Sequence, residues 1–289
     1  MKDIIIIGAG PAGVSAALYA KARGKDLLLL EKDRVGGLIS HVSKVSHYAS
    51  LADNESGEEF SQKLKDQLAF SNIDVTYEEC LSIEKKDDFF LVKTDKNSYE
   101  SKKLIYAAGS KLKELDIDYK GFDVKHWPYD NEESLKGKTV IVNGGSDGAS
   151  KEALYIAKFA KEVHIVQNQD ALMCIDEFKK QIEASDKIKV HTSTSLKDLE
   201  IRDNKCIKAI LDDCAIEDSN GIEIYVQIGQ NGSTDLIKDL ANVKNTFLDE
   251  EISSQVDGLY FAGDVRIKDV KQIATAVADG TLAGIKASK

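Results

Sequence analysis

The sequence predicts an α/β protein made of two nucleotide-binding βαβ domains, the second inserted into the first. Three observations predict it. Residues 1–40 read in order as strand, glycine turn, helix and strand. Residues 139–166 repeat that order about 136 residues further on, which marks an internal repeat of Rossmann-like folds and not one long sheet. The last forty residues return to the chemistry of the first domain, with a short apolar strand ending in Gly-Asp and an alanine-rich closing helix.

In the first unit, the isoleucine run 4–7 leads into Gly8-Ala9-Gly10-Pro11-Ala12-Gly13, an alanine-rich helical pattern, a Gly24 stop, the leucine run 27–30 and then Glu31-Lys32. Each glycine has a separate task. Gly8 permits the tight turn, Gly10 lets the backbone approach a pyrophosphate, Gly13 allows close packing of helix on strand, and the helix N-terminus faces the phosphate charge. Glu31 stands where a carboxylate takes both hydroxyls of an adenosine ribose.

Gly36-Gly37-Leu38-Ile39 follows, a glycine pair where the chain passes close to something flat or bulky. Ser56-Gly57-Glu58-Glu59 opens an amphipathic helix over 60–70, with Phe60, Leu64 and Leu68 on one face. Residues 73–109 alternate in short pieces, as a small antiparallel meander does, and end in the apolar stretch 104–109 (LIYAAG). The charged, irregular segment 112–137 contains His126-Trp127-Pro128-Tyr129-Asp130 and reads as the crossing between domains.

The second unit then offers a strand over 139–142, the turn 143–149, a helix to about 160 and a strand over 162–166. A helix over 177–184 and strands near 188–190, 206–211 and 222–228 complete it. The chain closes with 258–265 (GLYFAGDV) and a helix over 272–288.

Composition narrows the classes of partner. The 289 residues are 42% hydrophobic and 30% charged, as in ordinary globular proteins. A net charge of −10 would repel phosphate, which excludes nucleic acid or an anionic membrane as the main partner. No apolar run approaches a membrane span of ~18 residues. The chain opens directly on a strand, so the expectation is an untargeted, cytoplasmic protein. Cys80, Cys174, Cys206 and Cys214 form no C-x-x-C pair, and His41, His47, His126, His164 and His191 show no metal-ligand spacing with them. Reduced thiols and no structural metal are expected. Cys206 and Cys214, on or near a strand pair, are candidates to lie close in space.

GAGPAG with Glu31, LIYAAG at 104–109, and GLYFAGDV at 258–265 followed by Lys271-Gln272-Ile273-Ala274 together resemble the low-molecular-weight thioredoxin reductase family and the thioredoxin-reductase-like ferredoxin-NADP reductases, over nearly the whole chain. The resemblance implies a homodimer whose first fold, residues 1–114 and 246–289, binds FAD, and whose inserted fold, residues 115–245, binds a pyridine nucleotide. It implies FAD contacts at Gly8, Gly10, Pro11, Ala12, Gly13, Glu31, Lys32, Gly37, Leu38, Ala108, Gly109, Gly263 and Asp264, with Lys271, Gln272 and Ile273 beside the isoalloxazine. Without it, Asp264 at a strand end is either a turn former or a ligand; the preceding glycine and following helix favour ligand. His47 falls at a flavin-proximal position of the family, and a surface loop is the other reading.

Two departures carry the functional expectation. Where the family's reductases place C-x-x-C-D, this chain has His126-Trp127-Pro128-Tyr129-Asp130, with no sulfur to form a mixed disulfide. In the second fold Ser146 replaces the middle glycine, and Gln167-Asn168-Gln169 replaces the arginines that clamp the 2′-phosphate of NADPH. Each charge-assisted hydrogen bond lost is worth about 1.5–3 kcal/mol, so two weaken NADPH by a hundredfold or more. The second fold is then either a retained scaffold or a weak or NADH-using site. No side-chain nucleophile or general base stands out. The expected activity is an FAD-dependent oxidoreductase that passes electrons to a protein or small acceptor without a dithiol, with NAD(P)H or ferredoxin as donor. A ferredoxin-linked flavoenzyme and a non-catalytic FAD-binding interaction module are the alternatives.

Overall fold

The computed structural model describes residues 1–129 and 132–289, in two compact units: residues 1–111 with 231–289, and residues 112–230. Asp130 of the expected crossing lies outside the described residues.

The first unit begins β1 (Lys2–Ile7), α1 (Pro11–Lys21), β2 (Leu27–Glu31). Four consecutive β-branched isoleucines favour a strand, and their burial on both faces is what a central parallel strand between two layers requires. Ile4 pairs with Leu27 and Ile7 with Leu30 on one side, and Ile7 with Tyr106 on the other. Pro11 opens α1, where its missing N–H costs nothing.

α2 (Gly57–Phe70) starts ahead of residue 60 because Ser56 caps it: Ser56 Oγ accepts from the Glu59 N–H at 3.2 Å, and the Glu59 carboxylate accepts from the Ser56 N–H at 2.8 Å. Phe60, Leu64 and Leu68 form its buried face. β3 (Val75–Tyr77) runs parallel to β2 at the sheet edge, so the antiparallel meander comprises only β4 (Cys80–Lys85), β5 (Phe90–Thr94) and β6 (Ser98–Tyr106).

In the second unit β7 (Thr139–Asn143), α3 (Asp147–Ile156) and β8 (Glu162–Val166) precede α4 (Asp176–Glu183) and β9 (Ile188–His191). The meander β10 (Leu196–Arg202), β11 (Lys205–Leu211) and β12 (Ala215–Val226) follows. Its sheet runs β9-β8-β7-β12-β11-β10, the same plan as β3-β2-β1-β6-β5-β4 in the first unit. In both, one long strand joins the parallel part of the sheet to its antiparallel meander. Ser98 and Ser101 of β6 pair antiparallel with β5 while its C-terminal half pairs parallel with β1, and β12 divides likewise between β11 and β7.

The chain returns through β13 (Leu259–Phe261), parallel to β6, and α5 (Ile273–Ala287). The crossings differ from expectation. Residues 231–245 belong to the first unit, because the Tyr106 hydroxyl donates to the Ser233 carbonyl at 2.7 Å and Ile237 is wholly buried with Leu248 and Phe261. Residues 112–114 join the second, where the Lys113 N–H donates to Gly229 O at 3.0 Å. Among the described residues no helix is long and apolar enough to cross a membrane.

α5 lies directly on α1. A Cβ on Gly280 would stand 2.0 Å from the Ala12 carbonyl oxygen, one on Gly284 2.6 Å from that of Ala16, and the Ser15 hydroxyl donates to Val277 O at 2.9 Å. Gly280→Ala is expected to overpack this contact and lower unfolding stability by about 1–3 kcal/mol, read as a lower urea midpoint at unchanged slope.

Candidate functional site

The site is built on the turn after β1. Gly8 takes φ +98°, and a Cβ there would lie 2.5 Å from the Ala107 carbonyl oxygen; a Cβ on Gly13 would lie 1.8 Å from that of Gly8. Both glycines are packing requirements. Gly10 is different: it has an ordinary φ of −70°, and the closest atom to a Cβ would be Gly36 O at 3.9 Å. Its surface is bare. Gly10 caps α1 with no side chain, and Pro11 and Ala12 bring no acid into the first turn, which leaves the helix's own first N–H groups without a side-chain acceptor.

The bordering residues converge on this turn. Gly36 donates its N–H to Ala9 O at 2.8 Å, and a Cβ on Gly37 would come 3.8 Å from Gly10 Cα; Leu38, next in the chain, is half-buried. Buried Glu31 accepts from the Ala9 N–H at 2.7 Å and from the Asp33 N–H at 3.0 Å, pinning the acid beside the turn. Ala108 and Gly109 follow Ala107, whose N–H donates to Ile7 O at 2.9 Å. Two expected contacts sit apart from this cluster's hydrogen bonds. Lys32 is exposed and pairs with Glu79 at 3.7 Å, and His47 is exposed with φ +58°.

The Gly-Asp loop closes the other side. A Cβ on Gly263 would lie 2.8 Å from Ala12 Cβ, so the loop rests on the first turn of α1. The Asp264 carbonyl accepts from Lys271 Nζ at 2.8 Å, and that ammonium stands 3.2 Å from the centre of the Phe247 ring. Burial pushes the Lys271 ammonium down to about 8, opposed by Asp264. Gln272 caps α5 and Ile273 is its buried first residue. Sequence reasoning passed over Asp279, whose carboxylate accepts from the Gly263 N–H at 3.0 Å and pairs with Arg266 and Lys268. The available signal was an acid on the buried face of an alanine-rich helix.

The corresponding turn of the second unit is more closed. A Cβ on Gly144 would lie 2.2 Å from Gln227 O, and one on Gly145 2.7 Å from Gln167 Nε2, because the buried Gln167 amide lies against that glycine. Ser146 caps α3 without a side-chain hydrogen bond, Met173 donates its N–H to Gly145 O at 2.8 Å, and Asp147 accepts from the Ile175 N–H at 2.8 Å. Asn168 and Gln169 are exposed, and Ala149 is wholly buried. In the stretch 126–129, His126 lies 2.9 Å from Val226 O and 3.0 Å from a Glu114 carboxylate oxygen, and Tyr129 tilts against Tyr155 with ring centres 6.4 Å apart.

The cysteines are all free. Cys206 and Cys214 are not neighbours as expected: Cys206 pairs with Ile222 at one end of β11, while Cys214 O accepts from the Leu211 N–H at the other. Five residues of strand at about 3.4 Å each separate those ends, well beyond the ~7 Å Cα limit of a disulfide. Burial pushes the Cys80 thiol up to about 12 and Cys206 to about 11, and desolvation with Asp213 also raises Cys214.

Residues 2–280 match the family described as pyridine nucleotide-disulphide oxidoreductase. The chain belongs to that family. A 34.2 kDa protein of the Clostridium pasteurianum rubredoxin operon is 29% identical over 99% of this chain and 96% of its own length. Thioredoxin reductase of Peptoclostridium litorale is 27% identical over the same shares. The crystal structure of Lactococcus lactis thioredoxin reductase, in a conformation designated FR, superposes with a TM-score of 0.93 at 26% identity, covering 99% of this chain and 98% of that one. A ferredoxin-flavin thioredoxin reductase from Clostridium acetobutylicum shares the fold at a TM-score of 0.55 and 23% identity, covering 99% and 96%.

The protein is thus a thioredoxin reductase-like, FAD-dependent oxidoreductase. The first-unit turn fits that cofactor: bare Gly10 and a helix start with no acid in its first turn would take a pyrophosphate, and buried Glu31 beside them would take a ribose. Because position 10 has ordinary backbone angles and room, Gly10→Val is expected to leave the unliganded fold intact, by circular dichroism and Tm, while FAD affinity measured by flavin fluorescence falls about a hundredfold. A second outcome follows from the thiols. In native protein at pH 7 a chromogenic disulfide reagent should find only the exposed Cys214, slowly and faster as pH rises, and all four cysteines after denaturation.

Proposed function

We propose that this oxidoreductase passes electrons through its flavin to a protein or small acceptor without any protein dithiol, and that NADPH is a poor donor. Bound FAD supplies the capacity to take up and release electrons; the chain supplies binding, orientation and electrostatics. The observation that carries the reading is the state of the cysteines: all four are free thiols, three are buried, and two are pushed far above neutral pH. The stretch 126–129 holds its imidazole and phenol in contacts within its own unit, where thiol exchange would need sulfur.

The donor reading rests on the second-unit turn. The Ser146 side chain stands where backbone would approach a pyrophosphate, and the uncharged Asn168 and Gln169 give a 2′-phosphate no cation. We take the working assembly to be a cytoplasmic homodimer, as in the family it belongs to, with ferredoxin or another redox protein as candidate partner.

Anaerobic stopped-flow at the flavin absorbance, with NADH, NADPH and reduced ferredoxin in parallel, tests the donor. NADPH should reduce the flavin slowly and without saturation, with NADH no worse. Fast saturable reduction by NADPH overturns the donor reading, and reduction by none of the three transfers support to a non-catalytic flavin-binding module. With any donor that does reduce the flavin, oxidised thioredoxin should not turn over; rapid turnover lost on replacing a cysteine would refute the absence of a relay.

A further inference from the structure

Five charged side chains gather at the Gly-Asp loop, Asp264, Arg266, Lys268, Lys271 and Asp279, and the sequence motifs account for only the first and fourth of them. Asp279, on the buried face of α5, accepts from the Gly263 N–H at 3.0 Å, pairs with Arg266 at 2.6 Å and with Lys268 at 3.2 Å. Lys268 is shared: its ammonium also stands 3.1 Å from Asp264 Oδ1 and donates to Thr275 Oγ1 at 3.2 Å. Arg266, Lys268 and Asp279 are each only 9–12% exposed at the side chain, and Asp264, at 29%, reaches solvent.

Buried ion pairs are a weak source of stability, because desolvation offsets their attraction; their better-attested use is to specify one arrangement. Two anions, Asp264 and Asp279, face three cations here, Arg266, Lys268 and Lys271, and the arrangement they specify is that of Gly263 and Asp264. The Asp279 carboxylate holds the Gly263 N–H from below and, through Lys268, holds Asp264 from the side, while Lys271 fixes the Asp264 carbonyl. Gly263 in turn has no room to shift toward α1, given the 2.8 Å that a Cβ would leave to Ala12.

We infer that Asp279 is a positioning residue for the flavin site: acting through Lys268 and the Gly263 N–H, it orients the Asp264 carboxylate toward the cofactor. The inference rests on the first unit binding FAD. It extends that reading to a residue outside every motif, on a helix whose other buried positions are apolar or glycine.

The experiment is a double-mutant cycle on Asp279→Asn and Lys268→Met, each prepared as apoprotein and titrated with FAD. Tm of the apoprotein is recorded for every variant. Asp279→Asn keeps the shape and removes the charge; FAD affinity should fall about tenfold, and the visible band and midpoint potential of the flavin that is bound should shift. In the double variant the loss should be smaller than the sum of the two single losses, because both act on one carboxylate. Unchanged affinity and spectrum in Asp279→Asn, or strictly additive losses, overturn the inference; so does a drop in Tm with unaltered FAD affinity, which assigns Asp279 a structural role alone. Should Asp279→Asn not fold, Asp279→Glu takes its place beside Lys268→Met: weakened FAD binding with a shifted flavin band supports the inference, and unaltered binding overturns it. Wild-type protein that fails to bind FAD would instead refute the flavin reading itself.

Discussion

The contact on which the first unit depends is the approach of α1 to its own preceding turn. With only hydrogen at Gly13, the helix sits against the Gly8 carbonyl, and that same closeness sets the start of the helix, capped by the bare Gly10, directly beside the end of β1. Anything bulkier at Gly13 would lift the helix and turn an anion site into an ordinary helix start. The C-terminal helix extends the principle: Gly280 and Gly284 bring α5 onto α1, and the Gly-Asp loop leading into α5 is delivered to the first turn of α1.

The second unit keeps the same scaffold and uses it differently. Its sheet order repeats that of the first, yet its turn is lined by side chains: the Gln167 amide lies on Gly145, and the segment through Met173 bonds the turn carbonyl. A fold therefore records ancestry in its strand order and present chemistry in a few positions. Gly10 and Ser146 stand at equivalent places, each the N-cap of its helix, and Ser146, the Gln167 amide and the Met173 segment together separate a covered surface from an open one.

The parts legible in the sequence were those where local chemistry and global fold agree. The isoleucine and leucine runs, the Gly8 to Gly13 turn and the capped α2 each carry their own cause in adjacent residues. What escaped was set by tertiary contact. β10 and the first half of β12 mix charge among their apolar residues because Leu196, Leu199 and Ile216 share the buried side with a charged residue, Asp218, so no apolar run announces them. Residues 231–245 are tied to the first unit by Ile237, the Tyr106 hydroxyl on Ser233 O and the Ser233 N–H on Gly109 O, among other contacts that leave no periodic trace. Asp279 has no motif at all, since its partners Gly263, Arg266 and Lys268 come from a loop that only the fold brings to it.

The discontinuity of the first unit has a consequence for how the chain is made. The hydrogen bond from Ser15 to Val277 spans 262 positions, and the glycine contacts between α1 and α5 span similar distances. Such contacts close a very large loop and form late. During synthesis the whole inserted unit emerges between the two halves of the flavin cradle, so it has all its strands in hand while the cradle still waits for its last helix. A nascent chain arrested before α5 would accordingly carry every strand of the second unit and an unfinished first.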